Sequence, residues 1–307
     1  MLKNILKNFI SRIGSVIGVS VKNTYDPNVE TSMLALGTIL TNQQLLIDST
    51  NINDYEFKIF SQFGDDGIIQ YLIRNIKIEN ETFIEFGVES YYESNTRFLL
   101  MNNNWSGFVM DGSKESMQNL YYQSWYWRYD LNQKAAFIDK ENVNDLIRSS
   151  GFSNLGLLHI DGNDYHILEE IDFSELNPSI LIMEYNSVFG NERLISTPYR
   201  KDFYRTKAHY SNLYFGASLP ALNFLANKKG YALVGCNKAG NNSFFVRKDL
   251  LNEKVKEISI DQAYKVSKFR ESRDINNDLT YISGNDRMEL LRGMEVLNVV
   301  TQKIENI

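Results

Sequence analysis

The chain has 307 residues, of which 43% are hydrophobic and 23% charged, and its formal net charge at pH 7 is −6. This composition is typical of a soluble globular protein with a sizeable core, and the negative charge argues against a general nucleic-acid binder, whose affinity depends on a basic surface. A single cysteine, Cys236, excludes an internal disulfide and a multi-cysteine metal site. We therefore expect a cytoplasmic protein.

The first 24 residues differ from the rest of the chain. Their only charged side chains are basic, and apolar residues recur at helical spacing from Leu2 to Ile17, which predicts an amphipathic basic helix. Such a helix either rests on an anionic membrane surface, which would place the protein at the inner face of the membrane, or packs on the domain or on a second copy. Packing is the expectation favoured here. A second helix is predicted over 33–47, and together these segments form a helical extension over 1–54.

Strands and helices alternate from residue 55 to residue 250. This order predicts an α/β fold, in which a mostly parallel Rossmann-like sheet carries helices on both faces. Residues 251–307 have a charged, mixed sequence, and we expect them to form a tail that packs on the domain. The predicted strands are 82–86, 107–111, 135–139, 155–161, 179–185, 231–236 and 243–247, and the main predicted helices are 66–76, 94–102 (with Ser94 or Asn95 as N-cap), 141–149, 164–171 and 219–229.

The stretch from Thr82 to Ser90 carries the clearest functional signal. An apolar run ends there in Glu85 and Gly87, and the next apolar run ends in an acid of its own, Asp111, twenty-four residues after Gly87. A glycine after the first strand lets a ligand approach the backbone, and an acid after the second strand can accept hydrogen bonds from ribose hydroxyls. We therefore predict that Glu85, Gly87 and Asp111 bind an adenosine-containing cofactor.

Oxygen-bearing side chains end the fourth and fifth strands. Asp161 follows strand four, while Glu184 and Asn186 end strand five. If these strands are neighbours, the three side chains can meet at one edge of the sheet, where ligands of open parallel sheets bind. Such ligands favour Mg²⁺, Ca²⁺ or Mn²⁺ over zinc, although Asp161-Gly-Asn-Asp is also good turn sequence. Asp161 is predicted to contact the ligand in either case.

The segment 207–218 is rich in His, Tyr, Asn and Ser. It lies between strand five and the helix at 219, from which it can fold over the mouth of the sheet. His209 titrates near neutrality, so it is a candidate general base toward an acceptor hydroxyl, or else a simple hydrogen-bonding residue.

Several motifs, taken in order, resemble bacterial class I S-adenosylmethionine-dependent methyltransferases. The group in question is poorly characterised and related to the FkbM-like methyltransferases of polysaccharide and natural-product pathways. The similarity covers roughly 55–250 and rests on Phe63-Gly-Asp-Asp-Gly-Ile-Ile, Phe83-Ile-Glu-Phe-Gly-Val-Glu, Glu93-Ser-Asn-Thr-Arg, Trp105-Ser-Gly-Phe, Asp161-Gly-Asn-Asp-Tyr, Glu184-Tyr-Asn-Ser-Val-Phe-Gly and Ala208-His-Tyr-Ser-Asn-Leu-Tyr-Phe-Gly-Ala-Ser.

The resemblance implies a seven-stranded sheet whose last strand is antiparallel. It also implies S-adenosylmethionine as cofactor, with Glu85 and Gly87 in the first cofactor motif, Asp111 as the ribose-binding acid and Asp161 as the acid after strand four. The chain departs from the family pattern at Glu89, where a second glycine is usual, and Glu184-Tyr-Asn186 replaces the Asp-Asn pair of metal-dependent O-methyltransferases.

The expected activity is methyl transfer to a hydroxyl of a sugar, glycan precursor or related small molecule. The cofactor residues are then Glu85, Gly87 and Asp111. His209 and Asp161 are the catalytic candidates, and Asp161, Glu184 and Asn186 are the candidate ligands of Mg²⁺. The alternative is a non-catalytic Rossmann-like protein that binds a nucleotide or a nucleotide sugar at the same edge.

Overall fold

The computed structural model describes residues 27–162, 164–267 and 271–307. The predicted basic helix at 1–24 lies outside these residues, as do Asn163 and the tail residues 268–270. Among the described helices, none combines the length and the apolar character needed to cross a bilayer.

The elements alternate between strand and helix from β1 to β5. The helices are α1 Pro27–Gln43, α2 Asp65–Asn75, α3 Arg97–Asn103, α4 Lys114–Tyr121, α5 Val143–Arg148, α6 Asp164–Glu170, α7 Phe173–Leu176, α8 Arg205–Ala208, α9 Leu219–Lys228, α10 Ile260–Ala263 and α11 Asn285–Glu289. The strands are β1 Thr82–Phe86, β2 Ser106–Asp111, β3 Leu131–Ala135, β4 Leu157–Ile160, β5 Ile180–Glu184, β6 Ile195–Ser196, β7 Tyr231–Cys236, β8 Asn242–Arg247, β9 Glu295–Asn298 and β10 Lys303–Asn306.

The main sheet has seven strands in the order β3-β2-β1-β4-β5-β8-β7. Strands β1 to β5 pair in parallel, and β8 runs antiparallel to both β5 and β7. The central strand β4 is buried at every position, because apolar clusters cover both faces of the sheet. The predicted fold class and the antiparallel last strand are confirmed.

A second, smaller sheet joins the tail to the domain. It has the order β10-β9-β6, and all of its pairings are antiparallel. A third apolar cluster lies beside it and includes Phe189, Leu213 and Leu291. The end of the chain therefore packs on residues between β5 and α9, the segment that borders the carboxyl edge of the main sheet.

The loop before α2 is organised by a buried carboxylate. Asp66 Oδ2 accepts hydrogen bonds from the backbone N–H groups of Ile59, Phe60 and Ser61 at 2.7–2.9 Å. Burial raises the pKa of Asp66 to about 6, against the lowering effect of these hydrogen bonds. The loop packs so closely on α2 that a Cβ added at Gly67 would lie 2.0 Å from the carbonyl oxygen of Tyr55.

Two local predictions differ from the structure. The third strand lies at 131–135 and not at 135–139, because it is an edge strand whose side chains are mostly half-exposed, so its sequence Leu-Asn-Gln-Lys-Ala lacks an apolar run. The helix predicted at 94–102 begins at Arg97, and neither Ser94 nor Asn95 is its N-cap. Both of those residues bind Glu85 instead.

We predict that Gly67→Ala destabilises the fold because the new methyl group collides with the backbone of residues 55–57. The expected loss is about 3 kcal/mol in the free energy of unfolding, the upper end of the range for overpacking. Urea denaturation measures it. Gly112→Ala is the matched control, since its Cβ meets nothing closer than 3.4 Å. Equal stability of the two variants would contradict the prediction.

Candidate active site

A cleft of about 330 Å³ lies at the carboxyl edge of the main sheet. Its volume is near the lower end of the usual range for ligand pockets, about 300–1,000 Å³. It opens where β1, β4 and β5 end, as expected for a parallel sheet. The lining residues are Gln62, Glu85, Gly87, Val88, Glu89, Ser90, Tyr92, Glu93, Ser94, Asn95, His159, Asp161, Glu184, Asn241 and Asn242.

Two broader surface hollows, of about 520 Å³ each, are lined by other residues. One lies beside Phe224 and the other beside Arg273. Neither contains a residue that the sequence assigned to cofactor binding, catalysis or metal binding. The cleft at the sheet edge is therefore the candidate site, because it contains Glu85, Gly87, Asp161 and Glu184 together.

Glu85 forms the floor of the cleft and is 2% exposed. Its carboxylate accepts hydrogen bonds from the hydroxyl of Ser94, from the hydroxyl and backbone N–H of Thr96, and from the backbone N–H of Asn95. His159 Nδ1 donates to Oε1 at 2.8 Å. Although Glu85 lines the cleft, its oxygens are committed to protein donors, so it shapes the loop that would hold a cofactor.

The pKa shifts of Glu85 and His159 both favour the ionised forms of the pair. Burial opposes the charge on Glu85, but the hydrogen bond and charge of His159, helped by Ser94 and Thr96, lower its pKa. Burial likewise opposes the charge on His159, while the hydrogen bond and charge of Glu85 raise the His159 pKa. The two groups thus form a buried ion pair that neutralises itself.

Gly87 brings the loop after β1 close to the end of β4. Its φ of +71° favours glycine, and a Cβ there would lie 2.9 Å from the carbonyl oxygen of Asp161. Glu89 and Tyr91 also have positive φ values, +45° and +59°. Left-handed conformations at non-glycine residues are costly and often mark functional loops.

Asp111 is the last residue of β2, and it forms a hydrogen bond with the loop that follows β1. Its Oδ2 accepts from the backbone N–H of Glu89 at 2.9 Å, and its Oδ1 accepts from the N–H of Ser113 at 2.7 Å. Asp111 lies beside the cleft and does not line it. Each carboxylate oxygen has two lone pairs, so Asp111 can still accept a hydrogen bond from a ligand hydroxyl.

Asp161 and Glu184 both face the cleft. Although Asp161 is exposed there, the surrounding protein and the charges of Glu85 and Glu89 raise its pKa. Burial and the charge of Asp161 raise the pKa of Glu184 to about 8. The two acids are therefore electrostatically linked, and they hold a proton at neutral pH.

The structure does not support the predicted magnesium site. Asn186 is 2% exposed and does not line the cleft; its amide donates to the carbonyl oxygens of Leu213 and Phe215 and accepts from the N–H of Val188. No group of three or more His, Cys, Asp or Glu side chains able to hold a metal occurs within residues 27–162, 164–267 and 271–307. Asn186 is a structural residue that connects the end of β5 to the segment 207–218.

His209 is half-buried, and its Nδ1 lies 2.8 Å from the hydroxyl of Ser211. Burial lowers its pKa, which favours the neutral ring. It is not among the residues that line the cleft. Its role as a base stays a prediction.

Sequence reasoning missed the contribution of the β7–β8 turn. Asn241 and Asn242 line the cleft, and Asn242 pairs in register with Glu184. The buried Asp65 accepts from the amides of Asn237 and Asn242 at 2.7 Å and so holds the turn against α2. Because β8 runs antiparallel to β5, β8 begins at the edge of the sheet where β5 ends. The polar residues of the turn before β8 could therefore have been predicted to lie at the cleft.

No protein-family model matches this chain, and no curated protein matches it. Solved structures with a similar backbone trace include M. capricolum TrmK in complex with S-adenosyl-homocysteine. It is 11% identical to this chain with a TM-score of 0.36, and the match covers 63% of this chain and 73% of that one. The N-terminal domain of EvdMO1 with bound SAH has 10% identity and a TM-score of 0.38, and the match covers 61% of this chain and 80% of that one. A putative O-methyltransferase from Klebsiella pneumoniae has 9% identity and a TM-score of 0.37, and the match covers 76% of this chain and 94% of that one. At these values none of the three assigns an activity to this chain.

We predict that the Glu85–His159 pair makes stability depend on pH. The raised pKa of His159 contributes stability that is complete below its ordinary value of 6.5 and is lost as the pH rises through the folded-state pKa. The lowered pKa of Glu85 contributes stability above its ordinary value of 4.5 that is lost as the pH falls through the folded-state pKa. Urea denaturation at a series of pH values measures both limits.

His159→Gln should cost about 3–5 kcal/mol, because it leaves a buried carboxylate without its cation. It should also remove the part of the decline in stability above pH 6.5 that His159 contributes, while the part due to the raised pKa of Glu184 remains. His209→Gln is the control, since His209 has no acidic partner among its described contacts. Stability curves of equal pH dependence for the wild type and His159→Gln would refute the assignment.

Proposed function

We propose that this protein is an S-adenosylmethionine-dependent methyltransferase that acts on a hydroxyl of a sugar or glycan precursor. The observation that carries the proposal is the meeting of the Gly87 loop with Asp161 at the carboxyl ends of β1 and β4, beside Asp111 at the end of β2. The sheet order with one antiparallel last strand supports it. The acceptor class follows from the family resemblance.

The residues present fit this cofactor. Gly87 has no side chain where the backbone comes closest to Asp161, and Asp111 keeps free lone pairs for ribose hydroxyls. The acids of the cleft suit a ligand that carries a positive charge. When bound, the cofactor supplies an electrophilic methyl group on a sulfonium.

The chain's own task is to hold the acceptor and to remove a proton. The acceptor oxygen must lie about 3 Å from the methyl carbon for an in-line displacement. Asp161 and Glu184 line the cleft, whereas His209 does not. We therefore propose the Asp161–Glu184 pair as the proton acceptor, with His209 as a residue of the surrounding segment.

A thermal-shift comparison tests the proposed cofactor. S-adenosylhomocysteine should raise the melting temperature by mass action, because it binds only the folded state, whereas NAD and UDP-glucose should not. Stabilisation by UDP-glucose alone would instead favour the non-catalytic nucleotide-sugar binder.

Asp111→Ala should weaken S-adenosylhomocysteine binding by roughly tenfold or more, because a hydrogen bond to a charged group contributes about 1.5–3 kcal/mol. Calorimetry measures the change. Asp145→Ala is the matched control, since Asp145 is an exposed acid paired with Arg148 on α5. Unchanged affinity of Asp111→Ala would remove Asp111 from the cofactor site.

For residues 1–24 we propose packing on α1. Val29, Leu36 and Ile39 recur along one side of α1 and are 51–56% exposed, and the only charged residue of the helix, Glu30, is paired with Arg97. Leu6, Phe9, Ile13 and Val16 have a similar spacing in the N-terminal segment. Two apolar stripes of this spacing can pack together as an antiparallel helix pair.

Deletion of residues 1–24 should therefore lower the melting temperature, because the exposed stripe on α1 loses its cover. The full chain should not co-sediment with phosphatidylserine vesicles, with phosphatidylcholine vesicles as the control. If the full chain binds the phosphatidylserine vesicles and the variant without residues 1–24 does not, the result would instead favour contact of this segment with a membrane.

A further inference from the structure

The charges around the cleft are unevenly paired. His159 is bound to Glu85, and Arg205 is bound to Glu271 and to the carbonyl oxygen of Asn212. Within the described part of the chain, Asp161 and Glu184 form no ion pair of their own. Among the described residues, then, no cation forms an ion pair with Asp161 or Glu184, although the charges of His159 and Arg205 lower the pKa values of both acids.

The sheet register places these two groups side by side. Ile160 of β4 pairs with Met183 of β5, so Asp161 and Glu184 follow on neighbouring strands, which lie about 4.8 Å apart. Behind them Asp164 is 2% exposed, and its Oδ2 has no hydrogen-bond partner among the described residues. Burial and the charges of Asp161 and Glu184 raise the pKa of Asp164 well above its ordinary value, which favours its neutral form.

We propose that the Asp161–Glu184 pair holds one proton in the free protein and releases it when the sulfonium cofactor binds, so that the pair distinguishes the cationic methyl donor from its neutral thioether product. The inference rests on the proposed function. Its physical basis is that a cation close to two linked carboxyl groups favours their fully ionised form.

This release prepares the base for the reaction. The pair loses its proton to solvent when the cofactor binds. During transfer the sulfur–carbon bond breaks, its electron pair stays on sulfur, and the carbon–oxygen bond forms. The acceptor hydroxyl gives its proton to the pair, so the product complex contains a neutral thioether and a singly protonated pair. Charge and protons balance over the cycle.

Other groups around the pair set the background charge. They come from β1 and its loop, from β4, and from the segments that follow β5: Glu85, Glu89, His159, Asp164, Arg205 and Glu271. The charge on His159 is offset by Glu85 and that on Arg205 by Glu271. Glu184, whose pKa is about 8, is therefore the acid of the pair that changes charge near neutrality.

Isothermal titration calorimetry in two buffers of different ionisation enthalpy tests the proposal. At pH 7, S-adenosylmethionine should release close to one proton and S-adenosylhomocysteine almost none. The affinity for S-adenosylmethionine should rise by up to about tenfold per pH unit between pH 6 and 8, as one linked proton requires. Glu184→Gln should abolish the proton release and flatten this pH dependence, while the affinity for S-adenosylhomocysteine stays within about twofold.

Glu81→Gln is the matched control, because it removes one exposed carboxylate at the opposite end of β1. On binding S-adenosylmethionine, the Glu81→Gln variant should release the same number of protons as the wild type. Since the titrating groups of the ligand are the same with every protein, the difference between wild type and Glu184→Gln isolates the pair. Asp161→Asn provides a second variant should Glu184→Gln fail to fold; it should reduce the release, because it removes the Asp161 charge that raises the pKa of Glu184 and leaves only the effect of burial.

The outcomes separate the two proposals. Equal proton release with both ligands, or full release by Glu184→Gln, would refute the role of the pair and leave the cofactor assignment intact. Binding of neither ligand by the wild type would refute the proposed function and this inference with it.

Discussion

The arrangement of the candidate site depends on the buried carboxylate of Glu85. Leaving such a group without partners costs several kcal/mol, so the chain must bring donors to it. They come from residues 94–96, ahead of α3, and from His159 on the neighbouring strand β4. One side chain thus fixes the return of the loop after β1 and joins two central strands at the edge where the cleft opens. The loop's left-handed residues can persist because both of its ends are held in this way.

The same interaction sets the electrostatics of the cleft. Because Glu85 and His159 neutralise each other, the site is governed by the remaining pair, Asp161 and Glu184. The charge of His159 still lowers the pKa values of Asp161 and Glu184, while the opposing charge of Glu85 raises that of Asp161. The Glu85 carboxylate therefore offsets part of the effect of the His159 cation on the reacting groups.

The sequence predicted the central fold well because its signals were strong and local. Strand β1 was placed within its observed limits at 82–86, since a buried parallel strand is a continuous apolar run. Edge strand β3 was misplaced because it lacks such a run. For the site, a residue's position at a strand end was predictable but its partners were not. Glu85 and Asn186 both look like exposed ligands in the sequence, yet each is buried and bonded to a segment distant along the chain.

The contribution of the β7–β8 turn shows why partners are harder to predict than positions. Asn242 reaches the cleft only because β8 inserts antiparallel beside β5, so that the start of one strand meets the end of the other at Glu184. That pairing joins residues 58 positions apart and depends on the whole sheet order. Asp65 then fixes the turn through two amide hydrogen bonds, at the cost of burying a carboxyl whose pKa rises to about 6. The neutral amide beside Glu184 adds no cation, so the charge of the acid pair is left for a ligand to neutralise.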